Sequence, residues 1–156
     1  MVSSRTRQPL RVFLDSSVFM AAAISASGSA RQLLLLGLQR EFLLSVSALV
    51  LEETERNLSR KAPQALPAFG LLHAAINLAI VEPSRTQVLR AAKVVDVKDA
   101  PIVAGAVRAR ATYLATYDRR HLLTKRAEIE AAFGIRTTTP DEVITITVNR
   151  VNDGES

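Results

Sequence analysis

Residues 10–15, LRVFLD, form a short apolar run rich in strand formers that ends on a carboxylate. An acid there is partly buried and costly to desolvate without a partner. The chain must therefore fold so that this strand end meets something that offsets the charge. Further strand candidates follow at 42–46, 80–81, 112–116 and 135–138. Between them lie helical stretches. Residues 30–40 carry Leu33, Leu34, Leu36 and Leu38; Ser47 stands as an N-cap for a helix to about Arg60; Pro63 and Pro67 precede another over 68–78. Ser84 caps a helix to about Val94, and Asp99-Ala100-Pro101 opens the next, with Pro at an early position where its missing N–H costs little. Short strands alternating with helices predict an α/β domain with a largely parallel sheet of about five strands. At the end, 140–142 looks like a helix start, yet the β-branched VITITV over 143–148 favours a strand.

One domain accounts for 156 residues. We expect an N-terminal extension over 1–9, a single domain over 10–148 and a flexible tail over 149–156. The chain has no cysteine, which excludes a disulfide scaffold, a thiolate metal site and a cysteine nucleophile. Arg5, Arg7 and Arg11 before the apolar residues 12–24 imitate a secretory signal, but Asp15 inside the would-be apolar core opposes that reading. No stretch reaches the roughly 18 apolar residues of a membrane span. The expectation is a cytoplasmic protein without a membrane partner.

In parallel α/β sheets, ligands bind beyond the carboxyl ends of the strands, above all where strand order reverses. Asp15 ends the first strand and Asp118 lies just beyond the fourth. Asp99 sits at a helix start, and Glu53 follows Ser47 by six residues on a helix after the second strand. Each has an ordinary role when taken singly. Asp99 could be an N-cap, Glu53 could lie with Glu52 and Glu55 on a solvated face, and Asp118 could pair with Arg119 or Arg120. Together they could converge on one edge of the sheet. Hard oxygen ligands without Cys or His suit Mg²⁺ or Mn²⁺.

Four segments then resemble one family. LDSSVF at 14–19 looks like the first motif of PIN-domain nucleases, and SALVLEE at 47–53 resembles the second, selecting Glu53 over Glu52. DVKDAPIVAGAV at 96–107 is similar to the third, with Asp99 in the acidic position, and TYLATYDRRHLL at 112–123 to the fourth. The resemblance spans about residues 10–140, and its two later motifs are the more specific. It departs in the Val/Ile-rich end, where many relatives have a helix. The resemblance implies a three-layer α/β/α fold around a mainly parallel sheet. It also implies a divalent-metal endoribonuclease of the kind found as toxins in bacterial toxin–antitoxin pairs. Carried over by position, Asp15, Glu53, Asp99 and Asp118 are the catalytic metal-site acids, with Asp96 as an acid of the outer shell. Ser17 and Thr116 would orient a ligand or scissile phosphate. Such chemistry needs no side-chain nucleophile, so the presence of only His73 and His121 is no obstacle. His121 could touch a phosphate.

Charge agrees with a nucleic-acid substrate. Residues 85–126 hold ten Lys and Arg against Asp96, Asp99 and Asp118, a formal +7 in a chain of +5, which leaves −2 for the remainder. Arg119 and Arg120 are the first candidates to bind RNA. Aromatics make up 4%, with no tryptophan, which argues against a stacking platform for single strands. A haloacid-dehalogenase-type phosphatase would need an acid where Ser17 stands. The glycine loops of phosphate-loop NTPases and dinucleotide enzymes do not occur. The rival from another class is a PIN-like module that binds RNA or protein without cutting. A toxin would add an antitoxin partner. Apolar runs at 33–38 and 69–80 could serve an antitoxin groove or a homodimer.

Overall fold

A computed structural model describes residues 9–155; the N-terminal extension, Pro9 apart, lies outside the described residues. The strands are β1 (Leu10–Leu14), β2 (Phe42–Ser47), β3 (Ala79–Val81), β4 (Tyr113–Ala115) and β5 (Arg136–Thr138). They form one sheet in the order β3-β2-β1-β4-β5, every neighbouring pair parallel. The chain moves outward from β1 to β3 and then returns to the other side of β1. The β1–β4 boundary is thus where strand order reverses, the place where parallel α/β sheets commonly bind ligands at their carboxyl ends.

Helices α1 (Ser16–Ile24), α2 (Ser29–Leu38), α3 (Ala48–Lys61) and α4 (Leu66–Ala75) pack on one another between β1 and β3. The crossover to β4 carries α5 (Arg85–Ala91) and α6 (Ala100–Arg108); α7 (Arg126–Phe133) precedes β5 and α8 (Pro140–Glu155) ends the described chain. Strand pleating separates the layers. Val12, Leu44 and Tyr113 are partners across one face, and Leu44 lies under Gly37 of α2. Phe13, Ser45 and Leu114 share the opposite face, where Phe13 lies under Gly105 of α6. The sheet is therefore sandwiched between α2 and α6, the three-layer arrangement expected. No single helix among the described residues is long and apolar enough to cross a membrane.

Gly105 is required by that packing. A Cβ added there would stand 2.7 Å from Cζ of Phe13, whose ring is fully buried. Overpacking of this kind costs about 1–3 kcal/mol, against roughly 1 kcal/mol regained from helix propensity. Gly105→Ala is expected to lower the urea midpoint with an unchanged m-value; an unaltered midpoint would show that the ring can retreat.

One expectation at the end of the chain is corrected. Residues 143–148 are not a strand but part of α8, which runs from Pro140 to Glu155. Asp141 and Glu142 in its first turn suit the helix dipole. Val143 and Thr147, one turn apart, are buried, and α8 packs on α2. Thr145 and Thr147 donate their hydroxyls to the carbonyls of Asp141 and Val143, so polar β-branched residues are satisfied inside the helix. Tertiary burial outweighs the strand preference of VITITV.

Candidate active site

Asp15 follows the last residue of β1 and serves as the N-cap of α1, which fixes its carboxylate at the carboxyl edge of the sheet. Its Oδ1 accepts the Ser16 N–H at 2.8 Å. Its Oδ2 accepts two hydroxyls, Thr116 at 2.7 Å and Ser17 at 2.9 Å. Asp15 is 6% exposed, and burial pushes its carboxyl above the usual range despite these three donors, with Asp118 adding repulsion.

The other acids gather around this anchor. Ser16 Oγ donates to Glu53 Oε2 at 3.2 Å, tying the start of α1 to α3. Glu53 is half-buried while Glu52 and Glu55 are exposed, so the second-helix acid is the inward one. Its carboxyl is raised first by burial, then by Asp15 and Asp99, while Arg56 opposes. Asp118 lies beyond β4, where its N–H donates to Thr116 Oγ1 at 3.0 Å. Its Oδ1 accepts the His121 N–H at 3.0 Å and lies 3.4 Å from His121 Nδ1.

Asp99 precedes α6, but its side chain makes no capping bond, so that ordinary role is absent. Its Oδ2 is buried with no hydrogen-bond partner. Burial raises its carboxyl, Lys98 and His121 lower it, and Asp118 and Asp96 raise it again. Asp15, Glu53, Asp99 and Asp118 thus share one electrostatic neighbourhood, and no Lys or Arg among the described residues forms an ion pair with any of them. They do not form a closed cage, since no group of three or more Asp, Glu or His side chains among the described residues stands ready to hold an ion.

The remaining candidates divide. Ser17 and Thr116 spend their hydroxyl protons on Asp15, and Ser17 Oγ also accepts the Tyr117 N–H, so both orient the acid. Asp96 is exposed and accepts the Lys98 N–H within its own turn. Arg119 and Arg120 are exposed and form no ion pair with the acids among the described residues. Two contributors escaped the sequence reading. Ser16 bridges to Glu53, and Lys98 Nζ lies 3.3 Å from His121 Nε2 on the rim. The serine doublet after Asp15 was the available signal for the first; nothing in the sequence marks the second. The basic excess of 85–126 is also divided, because Arg108 ends α6 and Arg110 follows it before β4, at the far end of the strands.

The family model for the PIN domain matches residues 11–120, which carry all four acids. The chain belongs to the PIN-domain family. No curated protein matches its sequence significantly. Among solved structures, this PIN domain is similar in fold to PAE2754 from Pyrobaculum aerophilum, with a TM-score of 0.58, 19% identity and coverage of 90% of this chain and 88% of that one. It is also similar to VapBC2 from Rickettsia felis, solved with a DNA fragment from their promoter, with a TM-score of 0.58, 14% identity and coverage of 82% and 97%. VapC20 of Mycobacterium tuberculosis, a toxin that cleaves the sarcin–ricin loop, aligns with a TM-score of 0.51, 16% identity and coverage of 70% and 91%.

Proposed function

We propose that this PIN domain is a divalent-metal-dependent endoribonuclease and the toxin of a toxin–antitoxin pair. One observation carries the reading: four carboxylates act on one another at the carboxyl edge of the sheet where strand order reverses, three of them raised by burial and mutual repulsion, with no Lys or Arg among the described residues in an ion pair with them. Such an arrangement is unfavourable by itself and is relieved by a positive charge placed among the oxygens. Mg²⁺ or Mn²⁺ fits the donor set, which is all oxygen and includes the unpartnered Asp99 Oδ2. The likeness to VapC20 and VapBC2 supports a toxin that acts on RNA and has an antitoxin partner.

Asp15, Glu53, Asp99 and Asp118 would hold the ion. When bound, it would supply Lewis-acid activation of water and relief of charge on the scissile phosphate. The chain's own residues prepare for that. Three donors keep Asp15 ionisable and aimed, Ser16 holds Glu53 toward it, and Thr116 joins Asp15 to the backbone of Asp118. Lys98 sets positive charge on the rim beside His121, where a phosphate would approach. Cleavage of an RNA oligonucleotide in Mg²⁺ or Mn²⁺, abolished by chelator, is the expected result. RNA that is bound but never cut under any divalent ion would identify a non-cutting module instead.

A further inference from the structure

At the end of the sheet opposite the acids lies an open cleft of about 720 Å³. Its apolar floor includes Leu43 and Ala79, and four arginines line it: Arg11, Arg40, Arg108 and Arg110. All four are exposed, no Asp or Glu lines the cleft, and no ion pair among the described residues neutralises any of them. Arg11 lies on β1, Arg40 between α2 and β2, Arg108 at the end of α6 and Arg110 between α6 and β4. The fold thus draws basic residues from three chain segments to one end of the sheet.

Two of these arginines occupy backbone positions that favour glycine. Arg40 (φ 64°) and Arg110 (φ 55°) are the non-glycine residues with positive φ among the described residues, and both line this cleft. Each closes a helix in the same way. The Arg40 N–H donates to the Gly37 carbonyl and Glu41 N–H to that of Leu36; the Arg110 N–H donates to Val107 and Ala111 N–H to Ala106. These are Schellman motifs, whose left-handed residue is usually glycine. A cation beside a helix C-terminus is favourable, but that benefit does not require the left-handed residue itself to be the arginine. Strain held at two converging sites points to a use for the side chains.

We infer that this cleft binds the phosphodiester backbone of a nucleic-acid strand. Four unneutralised guanidiniums match the spaced charges of such a strand, and Arg suits phosphate through its fork of donors. The inference does not rest on the reading of the carboxylate site, because binding here requires no cleavage.

The test is binding of a short labelled oligouridylate by fluorescence anisotropy, in chelator and across a salt series. Arg11→Gln/Arg108→Gln should weaken binding on the order of tenfold and lower the slope of log K against log salt by about 0.7 per arginine. Arg60→Gln/Lys61→Gln removes the same charge from α3, outside the cleft, and should leave both nearly unchanged. Arg40→Gly/Arg110→Gly should weaken binding while Tm holds or rises, which a purely structural role would not produce. Equal losses for oligouridylate and oligothymidylate would show that the backbone is read; a loss confined to RNA would add contacts to the ribose hydroxyl. Equal loss in the α3 control, no loss in the cleft variants, or binding of pyrophosphate without either oligonucleotide would overturn the inference.

Discussion

Asp15→Asn is expected to lower RNA cleavage by about 10³-fold or more while making the metal-free protein more stable. The proposed ion contributes several kcal/mol at the transition state, and about 4 kcal/mol corresponds to 10³ in rate. Stability moves the other way because burial opposes the Asp15 charge. Asparagine keeps an oxygen for the Ser16 N–H, and the Ser17 and Thr116 hydroxyls can rotate to accept from its amide. The sign of the pH effect follows from the raised carboxyl. The folded state holds the Asp15 proton more tightly than the unfolded chain does. That contribution is complete below pH 3.8, the ordinary value, and is lost as pH rises through the higher folded value. Glu53 behaves likewise from 4.5 upward. In chelator, the Tm advantage of the variant over the wild type should therefore grow from weakly acidic to neutral pH and then level off. Mg²⁺ should raise the Tm of the wild type more than that of the variant. Wild-type cleavage by Asp15→Asn would remove this residue from the machinery.

The same buried charge explains why so much of the site was legible beforehand. An acid at the end of an apolar strand needs partners, and the structure supplies them at Asp15. Glu53 is preferred to Glu52 by the resemblance of SALVLEE to the family's second motif. In the structure Ser47 caps α3, its Oγ accepting the Val50 N–H at 3.3 Å, and Glu53 is the half-buried acid of the two. Asp99 was ambiguous in sequence, since an acid before Ala-Pro can cap a helix; only coordinates reveal a buried oxygen left unpartnered. Local propensity failed at 143–148, where burial of Val143 and Thr147 against the rest of the fold decides the conformation. Charge counted along the chain failed differently. A window that includes Asp99, Arg108 and Asp118 spans a helix and a strand, so it mixes the two ends of the sheet. The arginine cleft became visible only when Arg11 and Arg40, distant in sequence, were placed beside Arg108 and Arg110.

Thr116→Val tests whether the site depends on positioning as well as on charge. Thr116 is fully buried at the end of β4, and valine fills nearly the same space without the hydroxyl. The change removes the 2.7 Å bond to Asp15 Oδ2 and the acceptor of the Asp118 N–H at 3.0 Å. Loss of a group that orients a ligating side chain lowers metal affinity or activity by about 10–100-fold, and leaving buried polar groups unpaired costs roughly 1–3 kcal/mol of stability. Removing a donor to the ionised form also raises the Asp15 carboxyl further. The acidic limb of the cleavage–pH profile should therefore move to higher pH, a shift that simple loss of packing does not produce. Thr116→Ser, which restores the hydroxyl and omits only the methyl, should recover both the profile and most of the rate. If Thr116→Val lowers Tm but keeps the wild-type profile and rate, the hydroxyl serves the strand end alone, and Asp15 is aimed by Ser17 and the Ser16 amide without it.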